Sequence, residues 1–263
     1  ERNKKNKKMN FSLIKKFRNK IKKGKPIVSS WSQIADANLL ELLMHGKFDC
    51  STLDFEHGLF SIENLPNLLR VLEVNKKLSL IRLPSKNIEI CKQVLDAGAD
   101  GIIIPNVVNV QELKKIIDIC KLPPKGSRGV GFSRTNKFGK KFNNYIKSKT
   151  SPVIIAMIEN LNGIKNLTKI LSLKDIDAIL IGPYDLSASM GIPGKFENKN
   201  FKKNLDYIKK SCSTHKVPCG LHLIEPNFKK LLKLKKQGYK FIPYSVDTVL
   251  INQSVESLFN KKK

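Results

Sequence analysis

From residue 27 onward the chain alternates between two textures. Short apolar runs fall at 27–31, 50–54, 78–82, 101–104, 153–158, 178–181, 220–223 and 241–244. Amphipathic stretches lie between them at 36–44, 63–75, 88–97, 110–120, 163–171, 201–212 and 228–237. Strands separated by helices pair in parallel through right-handed crossovers. Eight such strands close a (β/α)8 barrel, and one barrel occupies roughly 250 residues. The 263 residues therefore predict a single α/β domain of the TIM-barrel type, with no composition break to mark a second one. An open doubly wound sheet is the alternative. Against it, no G-x-G-x-x-G follows the first run.

Ahead of the alternation, Phe11, Ile14, Phe17 and Ile21 recur at three- to four-residue spacing and predict an N-terminal amphipathic helix. Such a helix either closes one end of the core or lies on a membrane surface; the core reading is preferred. Residues 1–10 read as a disordered basic tail and 11–260 as the barrel domain. The longest apolar stretch, 153–158, is far short of the roughly 20 residues that span a bilayer, so a transmembrane protein is excluded.

The formal charge of +27 invites a nucleic-acid reading. The kind of base argues otherwise. Lysines number 43 and arginines six, beside 28 Ile and 23 Asn, a skew that AT-rich codons produce. Residues 1–25 alone hold 12 basic side chains against one acid. Most of the charge is thus assigned to solvated faces, with no specific nucleic-acid partner and no membrane partner expected. Cys50, Cys91, Cys120, Cys212 and Cys219 form neither an even set nor a C-x-x-C pair. They predict no disulfide framework and a reducing, cytoplasmic compartment.

In a barrel, chemistry gathers at the C-terminal ends of the strands. The polar residues expected there are His57, Arg82, Glu159, Asp185 and His222, with Trp31 ending the first run. Glu159 and Asp185 are hard oxygen ligands on neighbouring strand ends, fit to share one Mg²⁺ or Mn²⁺ with waters and substrate. Asp185 alternatively caps a helix. His57 is a candidate base or a helix-entry hydrogen-bonding group. Arg82 is an arginine where lysine drift prevails, which suggests a planar fork for a carboxylate or enolate. Its replacement by alanine is expected to abolish activity while the fold survives. Asp96, at a helix end, matters only if it orients His57. The stretch 123–151 reads as a functional loop following a strand.

Six segments carry a resemblance. They are Leu53-Asp54-Phe55-Glu56-His57-Gly58, Ile81-Arg82-Leu83-Pro84, the run from Leu95 to Pro105, the run from Pro124 to Gly131, Met157-Ile158-Glu159-Asn160, and the run from Ile181 to Ser187. In order and spacing the chain resembles the HpcH/HpaI aldolases, metal-dependent class II pyruvate aldolases that include the 4-hydroxy-2-oxo-heptanedioate aldolases. The resemblance implies a TIM barrel in a homo-oligomer, a trimer or hexamer, acting on a small 2-oxo acid. It implies Glu159 and Asp185 as ligands of a divalent metal (Mg²⁺ or Mn²⁺, with Co²⁺ as a further option). His57 would be the base, working through metal-bound water and oriented by Asp96. Arg82 would bind the pyruvate moiety. Tyr184 and Asp185 would offer backbone amides to the substrate carboxylate, and Trp31 would line the pocket. Two positions depart from the heptanedioate type: Met157 stands where Gln is common, and Tyr184 where a small residue is. The implied reaction is reversible cleavage of a 4-hydroxy-2-oxo acid to pyruvate and an aldehyde. A citrate-lyase-β or malyl-CoA type lyase is the rival enzyme, and a catalytically retired basic binding protein the rival of another class.

Overall fold

The computed structural model describes residues 11–148 and 150–259; the expected basic tail lies outside them. Eight strands close into one parallel barrel in sequence order: β1 (Ile27–Ser32), β2 (Cys50–Asp54), β3 (Leu78–Arg82), β4 (Gly101–Ile104), β5 (Val153–Ile158), β6 (Ala178–Ile181), β7 (Cys219–Leu221) and β8 (Phe241–Pro243). All eight neighbour pairs, β8 to β1 included, are parallel. The helices around and below them are α1 (Phe11–Lys22), α2 (Ala37–Met44), α3 (Leu65–Val74), α4 (Ile88–Asp96), α5 (Val110–Cys120), α6 (Phe142–Ile146), α7 (Leu161–Lys165), α8 (Leu167–Leu171), α9 (Pro183–Ser189), α10 (Lys199–Thr214), α11 (Phe228–Lys236) and α12 (Asp247–Phe259).

The strands read as continuous apolar runs because a parallel sheet buries both faces. In β5, Val153, Ile155 and Met157 pack in the barrel interior, while Ile154, Ala156 and Ile158 pack under the helices. The α1 stripe settles its own alternatives. Ile14, Phe17 and Ile21 are buried in the interior cluster, and Phe17 meets Phe241 edge-on at 6.3 Å. This helix plugs the barrel rather than lying on a membrane, and no described helix is long and apolar enough to cross one.

The abundance of asparagine has a structural use. Asn87, Asn109, Asn160, Asn198 and Asn227 each cap a helix, accepting hydrogen bonds from its first free N–H groups.

One expectation is corrected by topology. The stretch before β5 follows a helix, α5, not a strand. It therefore lies on the N-terminal face, away from the strand ends where chemistry gathers. It carries a short 3-10 turn (Arg134–Asn136) and α6, and is tied down from below. Arg134 donates to the Ala97 carbonyl at 3.0 Å and pairs with Glu73 at 3.0 Å. The segment from Pro124 to Gly131 is on this face too.

Candidate active site

The site begins with strand register. Parallel pairing sets Asp54, the last residue of β2, opposite Arg82, the last residue of β3. The two side chains form a buried fork: Arg82 Nε donates to Asp54 Oδ1 at 2.7 Å and Nη2 to Oδ2 at 2.6 Å. Glu56 Oε2 lies 2.8 Å from the remaining Nη1. Trp31 Nε1 and Gln33 Nε2 also donate to Asp54 Oδ2, at 3.1 and 3.2 Å, and the backbone N–H groups of Glu56 and His57 donate to Oδ1. Burial by itself would raise the Asp54 pKa. The hydrogen bonds and charge of Arg82, with Trp31 and Gln33, hold it instead at about 2. Asp54 is thus a permanent anion that holds the guanidinium flat and turns the chain so that His57 leaves the strand end exposed.

Behind this fork the wall is aromatic. Arg82 Cζ sits 5.0 Å from the Trp31 ring centroid, and the His222 ring packs against Trp31 at 4.4 Å, tilted by 34°. Burial pushes His222 down to about 3, with Arg82 acting in the same direction. It is a neutral wall residue, not an acid or base at physiological pH.

Across the mouth, β5 ends in Glu159. Its Oε1 accepts from the Asn106 N–H at 2.6 Å, and Asn106 holds a left-handed φ of +44° to present it. Its Oε2 is buried without a hydrogen-bond partner. Gly182 makes the room: a Cβ there would stand 2.5 Å from that oxygen and 2.6 Å from Met157 Cε. Burial, then the negative charges of Glu56 and Asp185, push the Glu159 pKa up to about 7. Glu56 is raised as well, first by burial.

Asp185 is exposed in the first turn of α9. Gly182, not Asp185, is the cap residue, and no side chain caps this helix, so the capping role foreseen as an alternative is not taken. The first intrahelical bond is Leu186 N to Gly182 O, which leaves the N–H groups of Tyr184 and Asp185 available. Tyr184 is half exposed against Phe196.

The charge balance is lopsided. Asp54, Glu56 and Glu159 bear on one guanidinium, and Asp185 adds its negative charge beside Glu159 and Glu56. An orphaned oxygen in an acid-rich mouth fits a hard divalent cation. Among the described residues no three His, Cys, Asp or Glu side chains converge as ligands. The donor set is two carboxylates, which suits an ion that keeps water and substrate oxygens as its other ligands.

A family model described as HpcH/HpaI aldolase/citrate lyase matches residues 28–253, nearly the whole barrel. The chain belongs to that family. HpcH/HpaI relatives confirm the span. A 4-hydroxy-2-oxo-heptane-1,7-dioate aldolase of Salmonella paratyphi C is 30% identical over 92% of each chain. A hydroxypyruvate/pyruvate aldolase of Roseobacter denitrificans is 26% identical over 94% of this chain and 96% of its own. Among solved structures, an HpcH/HpaI aldolase/citrate lyase family protein of Burkholderia cenocepacia superposes with a TM-score of 0.87 at 20% identity, over 93% of this chain and 97% of that one. The protein is accordingly a carbon–carbon lyase by family, on the TIM barrel expected.

Of the residues expected at the site, the fold brings His57, Arg82, Glu159, Tyr184 and Asp185 to one rim. Two others need correction. Trp31 is buried beneath Arg82 and His222, so it supports the guanidinium rather than offering surface to a ligand. Asp96 ends α4 and therefore lies on the N-terminal face, where it accepts from Arg128 Nη2 at 2.6 Å. Helices run opposite to the strands, so Asp96 and His57 of one chain sit at opposite ends of the barrel. Sequence reasoning missed Asp54, Glu56 and Gln33. The first two stood inside a quoted motif, and the signal was an acid closing a strand beside the strand that Arg82 closes.

Proposed function

We propose that the protein is a class II pyruvate aldolase that cleaves a 4-hydroxy-2-oxo acid reversibly to pyruvate and an aldehyde. One observation carries the reading: the buried, unpartnered Glu159 oxygen beside Gly182, with the Asp185 charge and the Arg82 guanidinium both bearing on the same carboxylate. Glu159 and Asp185 would hold a divalent metal, Mg²⁺, Mn²⁺ or Co²⁺, which when bound supplies Lewis-acid polarisation of the 2-oxo acid. Arg82, held rigid by Asp54, places fixed positive charge where the enolate oxygen develops. His57, exposed at the end of β2, takes the 4-hydroxyl proton. The free N–H groups of Tyr184 and Asp185 receive the substrate carboxylate. Met157 leaves the floor of the mouth apolar, which disfavours a polar hydrogen-bonding partner at that point. The test is pyruvate release over a panel of 4-hydroxy-2-oxo acids. EDTA is expected to cut the rate by about 100-fold or more, with Mg²⁺ or Mn²⁺ restoring it. Turnover indifferent to chelation would overturn the metal-dependent reading and direct attention to imine chemistry at a lysine. Turnover of CoA thioesters alone would favour the citrate-lyase branch.

The chain acts as a homo-oligomer, and α12 supports this. Ile251, Val255, Leu258 and Phe259 fall at helical spacing on its surface, and the last two are 77% and 81% exposed. Exposed Leu42 on α2 and Phe228 and Leu232 on α11 are further uncovered apolar surface. An Asp96–His57 contact can arise only between copies. Light scattering on a sizing column is expected to report a multiple of the chain mass, a trimer or hexamer. Leu258→Lys with Phe259→Lys should reduce it; a monomeric wild type rules the assembly out. We assign the enzyme to the reducing cytoplasm on its unpaired cysteine set.

A further inference from the structure

Two of the five cysteines meet in a place that catalysis does not use. Cys91 lies on α4 and Cys120 ends α5, the helix packed beside it. Both are buried, and their sulfurs are 3.2 Å apart, close enough for one thiol to hydrogen-bond to the other. A disulfide needs the sulfurs at about 2.05 Å, so roughly one ångström of approach separates the pair from a bond. Cys120 also lines a cavity of about 320 Å³ on the N-terminal face, under Phe11 and Ile14 of α1. Arg128 lines the same cavity, and its guanidinium is fastened to Asp96, five residues beyond Cys91 on α4.

The surroundings favour reaction at one sulfur over the other. The hydrogen bond from Cys120 is the main influence lowering the Cys91 pKa, and the Arg128 and Lys92 charges act in the same direction. Cys120 is correspondingly raised, first by its hydrogen bond with Cys91. A thiolate is the nucleophile of thiol oxidation, and its partner here is already in contact to resolve the product. The other cysteines differ. Cys50 stands alone in the barrel interior, where burial pushes its thiol up to about 12. Cys219 is raised first by its hydrogen bond with Cys212, as Cys120 is by Cys91, so what sets the Cys91 thiol apart is the Arg128 and Lys92 charges that favour its thiolate.

We propose that Cys91 and Cys120 are a modification site, a dithiol that a hydroperoxide converts reversibly into a disulfide joining α4 to α5. The Cys91 thiolate attacks one oxygen of hydrogen peroxide. The O–O bond breaks, hydroxide leaves and takes up a proton as water, and Cys91 becomes a sulfenic acid. The Cys120 sulfur then attacks the Cys91 sulfur, its proton leaves with the hydroxyl as a second water, and the S–S bond forms. Two thiols and one peroxide give one disulfide and two waters; a small dithiol reverses the change. The cavity opens on the pair at Cys120, whose sulfur touches that of Cys91, and the bond closes a 29-residue loop, so the oxidised form melts several degrees higher.

The experiment treats the native full chain with hydrogen peroxide, then alkylates with N-ethylmaleimide in denaturant and maps peptides by mass. Three alkylated cysteines instead of the five of the untreated protein are expected, with one linked peptide joining Cys91 to Cys120 and reversal by dithiothreitol. Cys91→Ser and Cys120→Ser should each abolish the link, and Cys212→Ser should keep it. The map of the wild type decides the matter even if a serine variant folds poorly. Five alkylated cysteines after treatment, or a link between Cys212 and Cys219 in place of this one, would overturn the proposal.

Discussion

Arg82→Ala is expected to lose pyruvate release by about 10³-fold and also to lose about 3–5 kcal/mol of stability. The sequence alone led to expecting a folded, dead enzyme. The structure changes that because Arg82 is the counter-charge of a buried anion. Removing it leaves Asp54 without its two fork hydrogen bonds and leaves Glu56 without its cation. An uncompensated buried carboxylate costs far more than a lost surface pair. For a domain of this size the loss corresponds to a fall of about 10 °C in melting temperature. Asp54 adds a pH signature. Its folded pKa is depressed to about 2, so its contribution is fully present above its ordinary value of 3.8 and is lost as pH falls through 2. Arg82→Ala should forfeit that contribution and unfold at a higher pH than the wild type on acid titration.

The cleaner probe of chemistry is Arg82→Lys. It keeps the positive charge for Asp54 but lacks the planar fork. Turnover should still drop by about 10²-fold, with a smaller loss of stability. Both variants are read by pyruvate release and by a thermal melt run side by side. Wild-type turnover in Arg82→Lys would remove the guanidinium from the mechanism and leave it a purely structural charge.

What the sequence revealed, and what it hid, divides along one line. Features that depend on neighbours along the chain were readable. β2 to β6 fall where the apolar runs predicted, because a parallel strand buried on both faces announces itself as an uninterrupted run. β7 is shorter than expected, ending at Leu221, since His222 turns to pack on Trp31. The α1 stripe was visible for the same reason. Features that depend on register were not. Asp54 meets Arg82 across 28 positions, and only the parallel pairing of β2 with β3 makes the fork. Asp96 shows the converse error. It shares a motif with β4 residues that follow it immediately, yet the helix it closes delivers it to the other end of the barrel. Asp247 is a third case. Buried at the start of α12, it accepts the Gln33 and Ile34 N–H groups across the β8–β1 seam that closes the barrel, a contact no local pattern signals.

Glu159→Gln is expected to abolish metal-supported cleavage, by about 10³-fold or more, without destabilising the fold. Glutamine preserves the acceptor that the Asn106 N–H needs and fits the space that Gly182 leaves. It removes a charge that the metal-free protein holds at a cost. The sign follows from the pKa. Burial and the neighbouring acids raise it from 4.5 to about 7, so the folded state holds this proton more tightly than the unfolded chain does. The resulting advantage is complete below pH 4.5 and declines as pH rises through 7, by roughly 3 kcal/mol at most. Without metal, the wild type should therefore be less stable in urea at pH 8 than at pH 5. Added Mn²⁺ should recover the difference at pH 8, because a ligand bound only by the folded state stabilises it. The glutamine variant should show neither the decline from this site nor the Mn²⁺ response. A variant that still gains stability from Mn²⁺ and still releases pyruvate would show that the cation is held elsewhere, and the two-carboxylate site would fall with it.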